Sequence, residues 1–331
     1  MAGRRILITG VSSWLGTEVA RRLEGHPEVE YVAGLDTRPP KTSLERTDFM
    51  DADIRNPVIA KLIPQAGVDT VVHNRIIRQP GRGLSPEQAH DINVIGSLQL
   101  LAACEKAKTV RTIIIRGSAG IYGSEPAAPQ FFTEEMTRLY PLRTRFQRDV
   151  AEIENYFGTF ARRHPQVTCT MLRYQPRVGP SAETQFTRYL SLVAVPTCFG
   201  FDPRVQLIDE QDAIEALVAT IRRPVHGAVN VANPGTIGLT RMIRMAGKAS
   251  VPVPHPLFGT ASGVGKRLGL FSFSPDFRRL LQHGRAVDIT RLVDEVGFTP
   301  RHSTVEAVAD FTRTLEGRRL VPPLRRAVVP S

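Results

Sequence analysis

The segment RILITGVSSWLG (Arg5–Gly16) joins a short apolar run to a helical pattern through a glycine-bearing turn. This join constrains the fold more than any other stretch of the chain. A run as short and apolar as Arg5–Thr9 suits a strand covered on both faces, which is the position of a strand in a parallel sheet. Comparable runs follow at Tyr31–Asp36, Asp69–His73 and Val110–Arg116. Helical patterns lie between them, at Leu15–Leu23 and from roughly Pro86 to Lys106, where Ile92, Ile95, Leu98 and Leu101 recur at helical spacing. Strand–helix–strand alternation of this kind builds an α/β layer with helices on both faces of a parallel sheet, joined by right-handed crossovers.

The chain has 331 residues, 42% hydrophobic and 23% charged, which excludes a disordered polymer. No stretch reaches the roughly 18–20 apolar residues of a membrane span. Met1 leads directly into the first strand without the pattern of a secretory signal. Cys104, Cys169 and Cys198 lie far apart, a set that fits a reduced cytoplasmic protein better than a disulfide framework or a metal site. The net charge is +11, with a balance of +3 over residues 1–150 and +8 over residues 151–331. An anionic partner is therefore felt most by the second half. Only six of the 43 basic residues are lysines, and a bias of composition accounts for that as readily as a ligand does. No nucleic-acid-binding motif is present.

In the turn itself, Gly10 and Gly16 occupy positions where a dinucleotide-binding loop needs a tight bend and a close helix–strand approach. Ser13 stands at the middle position, where glycine is usual, narrowing the approach and adding a hydroxyl. The backbone around Ser13, Trp14 and Leu15 opens a helix whose N–H groups suit a pyrophosphate. Asp36 ends the second strand about twenty residues on, placed to accept both ribose hydroxyls of an adenosine and to repel a 2′-phosphate. This favours NAD over NADP, although Arg38 nearby opposes the preference. Asp53 and Ile54 form a second pair, suited to an adenine amino group and ring, or equally to a helix cap. The expected architecture is a Rossmann-type doubly wound parallel sheet over residues 1–174, with later segments returning to it. A smaller C-terminal α/β substrate lobe follows over 175–317, then a basic, proline-containing tail over 318–331.

These features together resemble the extended short-chain dehydrogenase/reductases, in the NAD-dependent epimerase/dehydratase branch. TGVSSWLG (Thr9–Gly16) matches the TGxxGxxG loop except at Ser13. Asn93-Val94-Ile95-Gly96 resembles the N-V-x-G helix motif. Gly117–Gly123 resembles the strand end that carries the catalytic serine. Arg173 through Gly179-Pro180 resembles the R…G-P segment, Gln211-Asp212-Ala213 the following helix start, and Asp288–Arg291 with Gly297–Pro300 the closing motif. The resemblance implies hydride transfer between a nicotinamide and a substrate carbinol, with a tyrosine as acid/base and a lysine four residues later that holds the ribose. It also implies that His73 and Asn93 order the cofactor side, and that homodimers form through the helices around Pro86–Lys106 and Arg143–Phe160.

Ser118 matches the serine that orients substrate. The tyrosine–lysine pair is not matched. Aligned on Glu152, the lysine position holds Arg148 and the tyrosine position Thr144, whose aliphatic hydroxyl titrates far above a phenol. Arg148 can bind ribose hydroxyls without giving up its proton. Tyr140 and Tyr122 are the two phenols near enough in sequence to replace the missing one. Arg75 and Ile76 stand where a small residue normally passes the cofactor; Arg75, Arg78 and Arg82 can instead form an anion-binding rim. Arg177, Arg188 and Arg204 are candidates for a substrate diphosphate. The leading expectation is an NAD-dependent oxidoreductase of the epimerase/dehydratase type acting on a nucleotide sugar or related alcohol. The alternative is a dinucleotide-binding protein without redox turnover, acting as a cofactor sensor or an assembly subunit.

Overall fold

The structure is a computed structural model that describes residues 3–78, 83–136, 139–254 and 273–320. Arg82 and the tail from residue 321 onward lie outside the described residues. Strands β1 (Arg4–Thr9), β2 (Val29–Asp36), β3 (Thr47–Asp51), β4 (Thr70–His73), β5 (Thr112–Ser118) and β6 (Thr168–Tyr174) run parallel. The short strands β7 (Arg177–Val178), β8 (Ala194–Cys198), β9 (Arg204–Val205) and β10 (Ile208–Asp209) come next, and β11 (Gly227–Val231) then joins the parallel sheet beside β6. The sheet order is β11-β6-β5-β4-β1-β2-β3. Strand order reverses between β1 and β4, which opens a crevice beyond their C-terminal ends.

The central strands β1, β4 and β5 bury both faces, whereas the edge strand β3 stays half-buried or exposed. Ile6 and Ile8 of β1 and Ile114 of β5 pack with helices α1 (Trp14–Glu24) and α7 (Glu210–Arg222). Leu7, Ile113 and Ile115 face the other way, onto α4 (Gly96–Lys106) and α5 (Arg145–Arg163). This two-residue alternation is why the runs read as continuously apolar. Helices α2 (Ile59–Gln65) and α3 (Pro86–His90) complete that face, and a π-helical turn, Asp91–Ile95, joins α3 to α4. The long helix expected from Pro86 to Lys106 is therefore continuous, with a wider turn at Asn93.

The chain enters a smaller lobe after β6 and returns to the first layer through α7 and β11. The lobe has its own core, in which Phe186 and Tyr189 of α6 (Gln185–Leu190) meet each other and Phe277 edge to face. Backbone bonds from Phe132 to Ala286 and from Asp288 to Phe132, each 2.9 Å, tie the segment after helix Pro275–His283 to the end of the larger layer. That tie carries C-terminal residues to the tip of β5. The three cysteines are buried and unpaired.

Candidate functional site

The loop after β1 is built around two glycines. Gly10 has φ +71°, and a Cβ there would lie 2.7 Å from the Arg75 Cβ. A Cβ on Gly16 would lie 2.3 Å from the Gly10 carbonyl oxygen, so only glycine lets α1 start this close to the turn. Ser13 is the N-cap of α1: its Oγ accepts from the Gly16 N–H at 3.1 Å and donates to the Gly10 carbonyl at 2.8 Å. It also accepts from Asn74 Nδ2 at 2.8 Å. The extra hydroxyl thus locks the loop and offers no free donor, which corrects one expected role of Ser13. Leu15 points into the core, while the Trp14 ring carries the Arg177 guanidinium 3.8 Å above it.

Asp36 is buried at the tip of β2. It accepts from the Ser12 and Thr37 N–H groups at 3.2 and 2.8 Å. Its remaining contact is Arg75, whose Nη1 lies 2.5 Å from Oδ1. The ribose acid is therefore already engaged, by a side chain that the sequence places only as bulk beside the crevice. Arg38 is exposed, and only its carbonyl takes part here, accepting from Ser12 Oγ. Thr9, Gly10, Asp36, Thr37, Asp53, Ile54 and Arg75 are among the walls of a small, open pocket at this end of the crevice. Asp53 is held by Arg55 through two 2.8 Å bonds, which outweigh burial and keep its carboxyl below the usual range. Ile54 packs so closely on α4 that a Cβ on Gly96 would fall 2.5 Å from its Cγ2.

His73 and Asn93 shape the wall without facing a ligand. The His73 ring is fully buried, 2.7 Å from Thr9 Oγ1 and 2.9 Å from Ser97 Oγ, so its expected contact with the cofactor is corrected to a structural one. Burial pulls its pKa to about 4, with Arg75 adding to the shift. An imidazole that is neutral when folded and titrates near 6.5 when unfolded binds more protons in the unfolded state between those values. Stability is thus fully present above pH 6.5 and falls as pH drops toward 4, by up to about 3 kcal/mol. His73→Gln is expected to remove that part of the acid slope in urea unfolding; an unchanged slope would refute the assignment. Asn93 accepts from the Ile77 N–H at 2.7 Å and donates to the Ile77 carbonyl at 3.0 Å and to Asp149 at 3.1 Å. It fixes the loop that bears Arg75 and Arg78.

At the end of β5, Ser118 Oγ accepts from Arg78 Nη2 at 2.7 Å and from the Gly120 N–H at 3.1 Å. Both bonds use its lone pairs, so its proton stays available to an incoming oxygen. The dyad positions need correction. Thr144 is the N-cap of α5, bonded to the Gln147 N–H in a capping box, and Arg148 is exposed, reaching only the Leu142 carbonyl at 3.5 Å. The helix carries two glutamates two residues apart. Glu152 bonds Tyr156 at 3.1 Å, whereas Glu154 grips the buried Arg173 through 3.0 and 2.6 Å bonds. Counting back from Glu154 puts Val150 and Phe146 at the lysine and tyrosine positions. Both pack with Ala119 and Tyr122, and Arg78 lies 5.0 Å over the Phe146 ring. Gln147, between them, donates to the Gly120 carbonyl at 3.1 Å.

Neither phenol takes the vacant role. Tyr122 is buried, stacked on Phe132, donating to Asn230 at 2.7 Å and accepting from Arg173 at 2.8 Å; burial pushes it up to about 12 despite Arg173. Tyr140 donates to the Ala127 carbonyl at 2.6 Å. Two buried carboxylates that sequence reasoning missed do reach the area. Asp276 comes from helix Pro275–His283: a Cβ on Gly120 would lie 3.4 Å from its Oδ2, 3.4 Å from Arg78 Nη2 and 3.1 Å from Ser118 Oγ. Glu125 is held by Arg143 at 2.7 Å and Arg279 at 2.5 Å, and these guanidiniums outweigh burial to keep it below the usual range. Of the three arginines expected to hold a diphosphate, only Arg177 stands at the phosphate loop; Arg188 and Arg204 are exposed on α6 and β9. Asp209, Asp212 and His302 also cluster, but Asp209 caps α7 and Asp212 accepts from Asn233 and the 301 and 302 N–H groups, which accounts for their proximity.

Comparison with known proteins agrees with this geometry. An uncharacterized protein of Mycobacterium tuberculosis (strain ATCC 25618 / H37Rv) is 36% identical over 323 residues, spanning 96% of this chain and 85% of its own length. A UDP-glucose 4-epimerase of Klebsiella pneumoniae is 29% identical over 136 residues, covering 38% of this chain and 96% of its own. Among solved structures, a UDP-N-acetylglucosamine 4-epimerase of Methanobrevibacter ruminantium M1 superposes with a TM-score of 0.72 at 16% identity, over 96% of this chain and 100% of that one. The UDP-glucose 4-epimerase of Thermotoga maritima does so with a TM-score of 0.70 at 18% identity, over 95% and 99%. At such identities the likeness is one of fold. No described helix is long and apolar enough to cross a membrane. The model of the NAD dependent epimerase/dehydratase family matches residues 6–232, which span the glycine loop, Asp36, Ser118 and all but the first two residues of the parallel sheet, and the chain belongs to that family.

Proposed function

We propose that this protein is an NAD-dependent oxidoreductase acting on a nucleotide-linked sugar, with a proton relay other than the family's phenol–lysine pair. The observation that carries the reading is the glycine loop opening on the Asp36–Asp53–Ile54 pocket at the point where strand order reverses, with Ser118 farther along the same crevice. The residues present fit a dinucleotide. The Gly10 and Gly16 turn has no room for side chains, and Asp36 can take ribose hydroxyls once Arg75 swings away. Bound NAD supplies a hydride acceptor and donor. Ser118 orients the substrate oxygen with its free proton, Arg78 holds Ser118, and Asp276 is the carboxylate placed to exchange a proton in place of the absent phenol. The protein pairs as a homodimer through α4 and α5.

A second reading, binding without redox turnover, is favoured by Phe146 and Val150, which exchange no proton. Turnover of nucleotide sugars, followed by chromatography of the product, separates the two. The enzyme reading expects epimerised or dehydrated product, reduced about 10²-fold or more in Ser118→Ala. NAD uptake with no product from any nucleotide sugar would leave the binding reading.

A further inference from the structure

The half of the crevice around β5 holds more positive charge than its carboxylates balance. Arg285 is 3% exposed; its Nη1 reaches the Gly123 carbonyl at 3.3 Å, its Nε reaches Gln175 at 3.4 Å, and its buried Nη2 has no partner. Arg116 also has a buried, unpartnered Nε; its Nη1 reaches the Asn74 carbonyl at 3.4 Å and its guanidinium lies 5.8 Å from the centre of the Tyr174 ring. Arg177 lies on Trp14 with its Nε unpartnered. Arg78 spends one nitrogen on Ser118 and lays its guanidinium on Phe146. None of the four has a salt-bridged carboxylate among the described residues. Glu125 is already shared by Arg143 and Arg279, which leaves Asp276 as the acid beside Arg78.

A buried guanidinium without a counter-ion is costly, and neighbouring ones add repulsion. Burial pulls Arg285 down to about 10, with Asp276 opposing and Arg78 adding to the shift. Burial also pulls Arg177 to about 10, with Arg116 adding and Glu210 opposing. Arg116 is lowered by burial and by Arg78. These four cations therefore feel one another along the crevice, from the phosphate loop to Ser118. Such an arrangement is stable when an oxyanion bridges the guanidinium forks.

We propose that the ligand carries an oxyacid group, carboxylate or phosphate, distinct from its nucleotide diphosphate, and that this group binds between Arg78 and Arg285 beside Ser118. The proposal rests on the nucleotide-sugar reading for the ligand's other end, and defines the substrate as an acidic or phosphorylated sugar. Arg116 and Arg177 supply background potential and draw such a ligand in.

Inorganic phosphate, titrated calorimetrically into the full chain, tests the pocket alone. Saturable binding is expected in the wild type, weakened about tenfold or more in Arg78→Gln and nearly restored in Arg78→Lys. Circular dichroism of Arg78→Gln checks the fold, and Arg285→Gln repeats the test from the other wall. UDP-glucose and UDP-glucuronic acid, which differ by a carboxylate at C6, test the whole ligand. The acid is expected to bind about tenfold more tightly, with the advantage lost in Arg78→Gln. Equal binding of the two sugars, with phosphate binding indifferent to Arg78 and Arg285, would overturn the inference and leave the nucleotide-sugar reading intact. Phosphate binding that depends on Arg78, with neither sugar nucleotide bound, would keep the oxyanion pocket and refute that reading.

Discussion

Arg75→Ala is expected to tighten NAD binding by about tenfold or more, the reverse of what losing a cation near a dinucleotide usually does. The Asp36 carboxylate has two oxygens, and both are engaged: one by the Ser12 N–H, the other by Thr37 and by the Arg75 guanidinium at 2.5 Å. Ribose hydroxyls reach Asp36 only by displacing Arg75. Hydrogen bonds to charged groups contribute about 1.5–3 kcal/mol, and that is the scale of the penalty the ligand meets. Removing the guanidinium removes the penalty, and leaves a buried acid that gains more from ribose than before. The free protein should accordingly melt at a lower temperature than wild type and recover when NAD is added. Calorimetry with NAD and with NADP checks the point. Weaker NADP binding in Arg75→Ala with NAD unchanged would instead mark Arg75 as a 2′-phosphate contact.

Glu154→Gln is expected to cost about 3–5 kcal/mol of stability, because it strips the counter-ion from a buried guanidinium. Arg173 uses four of its five donors: two bonds to Glu154, one to the Tyr122 phenol and one to the Glu134 carbonyl at 2.8 Å. The neutral amide keeps the shape and loses the charge. Urea unfolding reads the effect directly, as a lower midpoint at unchanged slope. A loss below 1 kcal/mol would show that Arg173 finds another partner. Glu152→Gln serves as the contrast: its carboxylate is half-buried, meets only the Tyr156 hydroxyl of the same helix, and should cost little.

The same two glutamates show where sequence alone stopped. The β1 loop, the strand ends at Asp36 and Ser118, and the helix bearing Asn93 were legible because local rules govern them: two-sided burial makes a strand a continuous apolar run, and a helix pressed against a turn admits only glycine at Gly16. The dyad register was not legible. Glu152 and Glu154 satisfy the same helical pattern, and only the fold separates them, by pairing Glu154 with Arg173 a strand away. Counted from Glu154, the dyad positions fall on Phe146 and Val150, which pack in the cluster of Ala119 and Tyr122, and not on Thr144 and Arg148. The guard on Asp36 was hidden for a related reason: Arg75 stood out as too large for its place, but its target lies 39 residues back and is set by the β4–β1–β2 pairing. Asp276 and Arg285 arrive at Ser118 from more than 150 residues away, through the Phe132–Ala286 tie, and no local spacing reports that.

The proposed function stands on a dinucleotide lying across the β1 loop with its adenosine ribose on Asp36. Calorimetric titration of NAD into Arg75→Ala and into the double variant Arg75→Ala/Asp36→Ala tests it with the guard removed from both. One saturable site per chain is expected in the first protein, weakened about tenfold or more in the second. Equal affinities, or no heat of binding in either protein up to millimolar NAD, would contradict it.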